Sequence, residues 1–316
     1  MNNITVKEKI NGGILGLLVG DALGVPYEFH DAKNISPIEN IEYIPPENFA
    51  RSHNKILPGT WSDDGSQSLC LLTSLLDCNR LDLSDFAKRL VNWYDNGYLA
   101  VDDCVFDVGV TTATAILSLK EGVSPYDSGP SGPYDNGNGS LMRCLPLALW
   151  HRGSDKELVL DAQFQSCVTH GHLRSQVCCA LYCLLARYEL YSLQNSFEKA
   201  VKALREIYKF NFEALQELEW SIRPDDEIIG TGSGYVVDSL RSAKDALQQN
   251  TYQDVVRYSI KLGKDTDTTA CIAGGIAGIK YGINGIPIRW RDYLRGKEIY
   301  KPILDNFNSY IDNNPL

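Results

Sequence analysis

Apolar residues recur along the chain at the three- and four-residue spacing of helices, and the two-residue alternation of strands is nearly absent. The pattern predicts helices over 6–23, 66–78, 84–96, 108–121, 142–152, 156–170, 173–190, 196–208, 234–249, 251–262 and 268–281. The 173–190 segment is apolar nearly all round, which places it at the centre beneath other helices. In "CIAGGIAGIKYG" the small residues Ala273, Gly274, Gly275, Ala277 and Gly278 weaken a helix interior, by about 1 kcal/mol per glycine relative to alanine. Close contact with another helix is the expected compensation. Three long loops interrupt the pattern: the proline-bearing 30–60, the glycine- and asparagine-rich 122–140, and 223–234. Structureless loops beyond about 12–15 residues are usually functional or disordered. No composition shift marks a boundary between two cores. The expectation is all-α, a compact single-domain orthogonal helical bundle over residues 1–316.

The apolar run from Ile14 to Val19 is interrupted by Asp21, too early for a membrane span, and nothing marks a signal-peptide cleavage site. Among 316 residues 44% are hydrophobic, enough for a substantial core, and the net charge of −10 argues against binding nucleic acid or anionic membrane nonspecifically. An acidic chain can still take an anionic small molecule where bound cations reverse the local field. Nine cysteines occur without a CxxC pair or a finger spacing. They read as core thiols of a cytoplasmic protein, and a monomer is the expected state.

Candidate chemistry begins at "PGTWSDDGSQSLCLL", where Asp63 and Asp64 stand side by side at a helix start. One carboxylate suffices to cap a helix, so the second needs another reason. Near the C-terminus "GKDTDTTACIAGGIAG" repeats the arrangement with Asp265 and Asp267 among threonines. Four carboxylates gathered in one place repel one another unless cations sit between them. Ligation by Asp, Ser and Thr oxygens alone selects hard ions such as Mg²⁺ or Mn²⁺. The plain alternative is two independent helix caps about 200 residues apart.

These stretches, with "GLLVGDALGVPYEF", "FDVGVTTATAI", "GNGSLMRCLPLAL", "THGH" and "GTGSGYVVDSL", resemble in order the ADP-ribosylglycohydrolase family, over about residues 13–282. The resemblance implies the all-α fold of that family, two divalent cations (Mg²⁺ or Mn²⁺) in a cleft, and cleavage of ADP-ribose from an acceptor at C1″ of the distal ribose. It makes Ser62, Asp63, Asp64, Asp265, Asp267 and Thr268 the metal ligands, while Thr266 points elsewhere. The family's first motif reads Thr-Asp-Asp; Ser62 keeps the hydroxyl and loses the methyl that stiffens χ1.

The same resemblance gives Asp64, Asp107 and Glu28 catalytic roles, Glu28 as general base or metal gate and Asp107 as catalytic or substrate-orienting. A helix cap (Asp107) and a plain surface glutamate (Glu28) are the alternatives. Asp21 is expected to tie the first helix to the site. Where the family often carries asparagine, this chain has Val110. Substrate contacts are expected from Asn138, Gly139, Ser140, Gly232, Ser233 and Gly234, whose loops precede helices and offer amides to a diphosphate. Tyr235 is expected to stack near adenine or the distal ribose, and His170 to hydrogen-bond substrate or water. Met142 and Arg143 read as packing. The implied partner is ADP-ribose or an ADP-ribosylated protein, arginine-linked first, with no nucleic acid or membrane. The alternatives are another N- or O-glycoside on the same fold, or a non-catalytic ADP-ribose-binding protein.

Overall fold

A computed structural model describes residues 4–315. Fourteen α-helices build it, and no strand occurs among the described residues. They are α1 (Val6–Gly24), α2 (Asp63–Cys78), α3 (Leu83–Asn96), α4 (Val110–Lys120), α5 (Leu145–Trp150), α6 (Asp155–Cys167), α7 (Leu173–Leu190), α8 (Ser196–Tyr208), α9 (Phe212–Gln216), α10 (Val236–Ala246), α11 (Tyr252–Lys261), α12 (Thr266–Tyr281), α13 (Ile288–Tyr293) and α14 (Lys297–Asn313). The all-α expectation holds. A π-helical turn, Glu217–Ile222, follows α9.

The helix pair α1–α12 sets the architecture. Thr5 and Glu8 start α1 with a reciprocal capping box. Gly12, Gly16, Gly20 and Gly24 then fall four apart on one face, and that face lies directly on the small residues of α12. A Cβ on Gly20 would stand 2.1 Å from the Ala270 carbonyl oxygen, and one on Gly16 2.5 Å from that of Gly274. The close contact expected of the small residues in 273–278 is therefore met by a second glycine stripe. Val6–Tyr27 is long and apolar enough to cross a membrane by length and composition, yet 94% of that window is buried inside the protein. Helix α7 is buried along most of its length, and the buried side chains form one continuous apolar cluster.

Several expected bounds shift for local reasons. The helix expected over 142–152 begins at Leu145, because residues 138–144 turn tightly, with Leu141 and Met142 amides both donating to the Asn138 carbonyl, and Pro146 fits only a first turn. The helix expected from 108 begins at Val110, with Gly109 as its N-cap. The sequence reading placed no helix over α9, α13 or α14. Loop 30–60 is ordered by polar anchors: Tyr27 Oη donates to the Glu42 carbonyl at 2.8 Å, and Lys261 Nζ reaches the carbonyls of Ala32, Ile35 and Ser36.

Candidate active site

The end of α1 brings the two acidic helix starts together. Asp21 is fully buried and accepts from the Ser62 amide at 2.9 and 3.1 Å and from the Gly65 amide at 2.8 Å. A carboxylate from α1 thus satisfies amides in the first turn of α2, and the Ser62 hydroxyl accepts from the Asp64 amide at 3.3 Å. The Ser62, Asp64 and Gly65 amides are thus satisfied without the side chains of Asp63 and Asp64. At the other end of the glycine stripe, a Cβ on Gly24 would lie 2.4 Å from Asp267 Cα, so α12 starts against the end of α1. Thr266 turns away from the site and donates to the Gly24 carbonyl at 2.8 Å. Asp265 makes no capping bond, and its amide is held by the Gly232 carbonyl at 2.9 Å. Thr268 Oγ1 then donates to Asp64 Oδ1 at 3.3 Å, a direct bond across 204 residues of sequence.

Around this junction lies a cleft of about 250 Å³. Glu28, Asp63, Asp64, Asp107 and Asp265 line it with Thr268, and no lysine or arginine does. Burial, and then mutual repulsion, pushes Asp63, Asp64 and Asp267 well above the ordinary carboxylate range. Glu28 rises to about 10 and Asp107 to about 7, burial again leading and neighbouring carboxylates adding. Asp21 also rises to about 7 through burial, against the pull of the Ser62 and Gly65 amides. Asp64 and Asp267 each keep a buried Oδ2 without a hydrogen-bond partner. Such a set, all oxygen and largely buried, fits hard divalent cations. Ligand atoms of Glu28, Asp265 and Asp267 lie within 4.8 Å of one another, as do those of Glu28, His53 and Asp107.

Whole-chain comparison decides the family. The sequence model described as ADP-ribosylglycohydrolase matches residues 2–314. The chain belongs to the ADP-ribosylglycohydrolase family. It is 31% identical over 293 residues to an ADP-ribosylarginine hydrolase of Serratia proteamaculans, covering 92% of this chain and 76% of that one. It is 28% identical to the ADP-ribosyl-[dinitrogen reductase] glycohydrolase of Rhodospirillum rubrum, over 93% and 92% of the two chains. A solved structure titled ADP-ribosylglycohydrolase-related protein complex superposes with a TM-score of 0.76 at 26% identity, covering 96% and 99%. Hydrolysis of ADP-ribosyl bonds follows at the level of the family.

The remaining residues singled out in the sequence divide into two groups. Asn138, Gly139, Gly234 and His170 line the cleft. Asn138 Nδ2 donates to Asp265 Oδ2 at 2.8 Å and to Ser239 Oγ at 2.9 Å. A Cβ on Gly139 would meet His170 Cε1 at 2.8 Å, so glycine there lets the imidazole reach the cleft wall. His170 is buried beside Arg143, which lowers it to about 3, burial leading; the ring is neutral, with Nδ1 2.8 Å from Thr169 Oγ1. Tyr235 stands half-exposed, its hydroxyl accepting from Arg174 at 3.1 Å.

The second group faces elsewhere. Ser140 is buried behind the cleft wall, where its hydroxyl accepts from Ser166 at 2.8 Å. The Ser233 amide, expected to face a diphosphate, already donates to Asp238 at 2.6 Å, as does the Ser233 hydroxyl, and the neighbouring Thr231 amide and hydroxyl donate to the same carboxylate. The Gly232 amide donates to Ser242 Oγ at 3.1 Å. This loop is thus folded on its own acceptors, and Ser140, Gly232 and Ser233, expected as substrate contacts, do not line the cleft. The capping alternative for Asp107 also falls, since α4 starts three residues later and Asp107 has a φ of 59°.

Two residues matter more than the sequence suggested. Arg143, fully buried, donates from Nη1 to Gln67 Oε1 at 2.9 Å, and Gln67 Nε2 donates to Asp63 Oδ2 at 2.8 Å. Arg143 therefore backs an acidic side chain through an amide relay rather than only packing. His53, from loop 30–60, places Nε2 2.6 Å from Glu28 Oε2. A lone histidine in a proline-bearing loop carries no motif, and nothing in the sequence marks it.

Proposed function

We propose that the protein is a divalent-cation-dependent hydrolase that removes ADP-ribose from a modified protein side chain, arginine foremost. Ser62, Asp63, Asp64, Asp265, Asp267 and Thr268 would hold two Mg²⁺ or Mn²⁺ ions. When bound, such a pair supplies positive charge and Lewis acidity beside the distal ribose. The chain's own groups supply the rest. Glu28, ionised once bound cations would offset the burial and the neighbouring acids that raise it, accepts the proton of the water that attacks C1″ as the C1″–nitrogen bond breaks. It passes a proton to the departing guanidine, and Asp107 orients that water. Asp64 places negative charge beside a transition state of oxocarbenium character. Asn138 and neutral His170 hydrogen-bond ribose hydroxyls, Gly139 and Gly234 leave room for the diphosphate, and Tyr235 stacks at the rim.

One observation carries this reading: two helix starts far apart in sequence share one cleft through the Thr268–Asp64 bond. A cleft lined by five carboxylates with no lysine or arginine favours a cationic acceptor, as arginine provides. The similar Serratia proteamaculans protein is named for that acceptor. Nine free thiols fit a reducing compartment, so we propose a cytoplasmic site of action.

The test is release of ADP-ribose from peptides carrying ADP-ribosyl-arginine or ADP-ribosyl-serine, with Mg²⁺, with Mn²⁺ and with chelator. Release from the arginine adduct, lost on chelation, is expected. No release from any adduct with either metal contradicts the proposal.

A further inference from the structure

Glu28 is held from the far side of the cleft by a loop that the proposed chemistry does not use. The Glu28 carbonyl accepts from His30 Nδ1 at 2.8 Å and from the Ser52 hydroxyl, and the Ser52 amide donates to the Pro26 carbonyl at 3.0 Å. These bonds fold the loop back so that residue 53 lies against residue 28. His53 Nε2 stands 2.6 Å from Glu28 Oε2 and 3.8 Å from Asp107 Oδ1. Its ring is packed between Phe106 and Phe29, with centroids at 5.1 and 5.6 Å. Phe29, His53 and Asp107 all sit in the left-handed region, at φ 62°, 47° and 59°. Non-glycine residues persist there only where the surroundings dictate it, and they gather at functional sites.

Glu28 belongs to both groups of ligand atoms, one with Asp265 and Asp267 and one with His53 and Asp107. A glutamate has three side-chain torsions, so its carboxylate can swing between the two. We infer that His53 is a positioning residue that fixes the Glu28 carboxylate at the working point of the cleft. The inference rests on the role proposed above for Glu28. The imidazole is not among the residues lining the cleft; it acts through the 2.6 Å bond, and the aromatic pair holds its ring in place.

Two variants separate the bond from the packing. His53→Phe keeps a ring between Phe29 and Phe106 and removes the nitrogen. His53→Gln returns an amide that donates or accepts at similar reach. Loss of an outer partner that orients a working side chain typically costs about 10–100-fold. His53→Phe is expected to lower kcat by that factor with KM within about threefold and the melting temperature unchanged, and His53→Gln to recover most of kcat. A crystal structure of His53→Phe is expected to show Glu28 in more than one rotamer. Wild-type kcat in His53→Phe, or a Glu28 that stays in place there, overturns the inference. Glu28→Gln is the control: if it abolishes activity while His53→Phe does not, only the inference falls. If Glu28→Gln is fully active, the role of Glu28 falls, and the inference with it.

Discussion

Asp64 and Asp267 are the carboxylates that, among the described residues, each keep a buried oxygen lacking a partner. Burial and the neighbouring acids make their charge costly in the cation-free protein. With the ligand role proposed for them, function and stability oppose one another at these positions. Asp267→Asn is expected to raise the melting temperature in chelator by about 2–4 °C while abolishing the stabilisation that Mg²⁺ or Mn²⁺ gives to wild type. Calorimetric melts of both proteins, with and without metal, check this; a variant less stable than wild type in chelator refutes it. The four aspartates were legible in the sequence because their number exceeds what capping needs. The placing of the Ser140 and Ser233 hydroxyls, on Ser166 and Asp238, was not legible because adjacency to glycine does not reveal which way a hydroxyl faces. His53 was missed because only the folded loop carries it to Glu28.

At the scale of elements, the glycine stripe of α1 decides where α12 starts, and hence where Asp265 and Asp267 stand. Gly20→Ala would place a Cβ 2.1 Å from a backbone oxygen, which a rigid helix pair cannot absorb by side-chain movement. It is expected to lower stability by about 1–3 kcal/mol or more and to weaken cation binding with it. Gly109→Ala, whose Cβ meets nothing within 4 Å, is the control; it loses only the N-cap preference for glycine over alanine and should melt far closer to wild type than Gly20→Ala. Equal melting of the two variants would contradict this role for the stripe. Helices such as α7 and α8 were legible to their ends, because long apolar periodicity ran between clear punctuation. Helices α13 and α14 were not, since Gly282, Pro287 and Gly296 break the tail into short pieces and Pro302 lies within α14. Small residues in α12 announced a close partner; the sequence reading did not single out the matching stripe of α1.

Across the whole molecule, the proposed function makes the site a link between folding, protons and cations. A carboxyl whose folded pKa is raised keeps a proton that the unfolded chain releases above about pH 4. Stability from that proton is present at low pH and is lost as pH rises through the folded value, about 7 for Asp21 and Asp107 and about 10 for Glu28. Burial acts to raise Glu42, Asp85 and Glu217 as well, but hydrogen bonds, chiefly from arginines, outweigh it and leave them lowered. The gain in melting temperature from saturating Mg²⁺ is therefore expected to grow between pH 7 and pH 8.5, as cations replace departing protons. A gain that shrinks over that range would refute the linkage. The most direct test of the central claim is an anomalous difference map from crystals grown with Mn²⁺. The account predicts two peaks between the Ser62–Asp64 and Asp265–Thr268 segments, within reach of both. A map without a peak there, in crystals that hold manganese elsewhere, would contradict it.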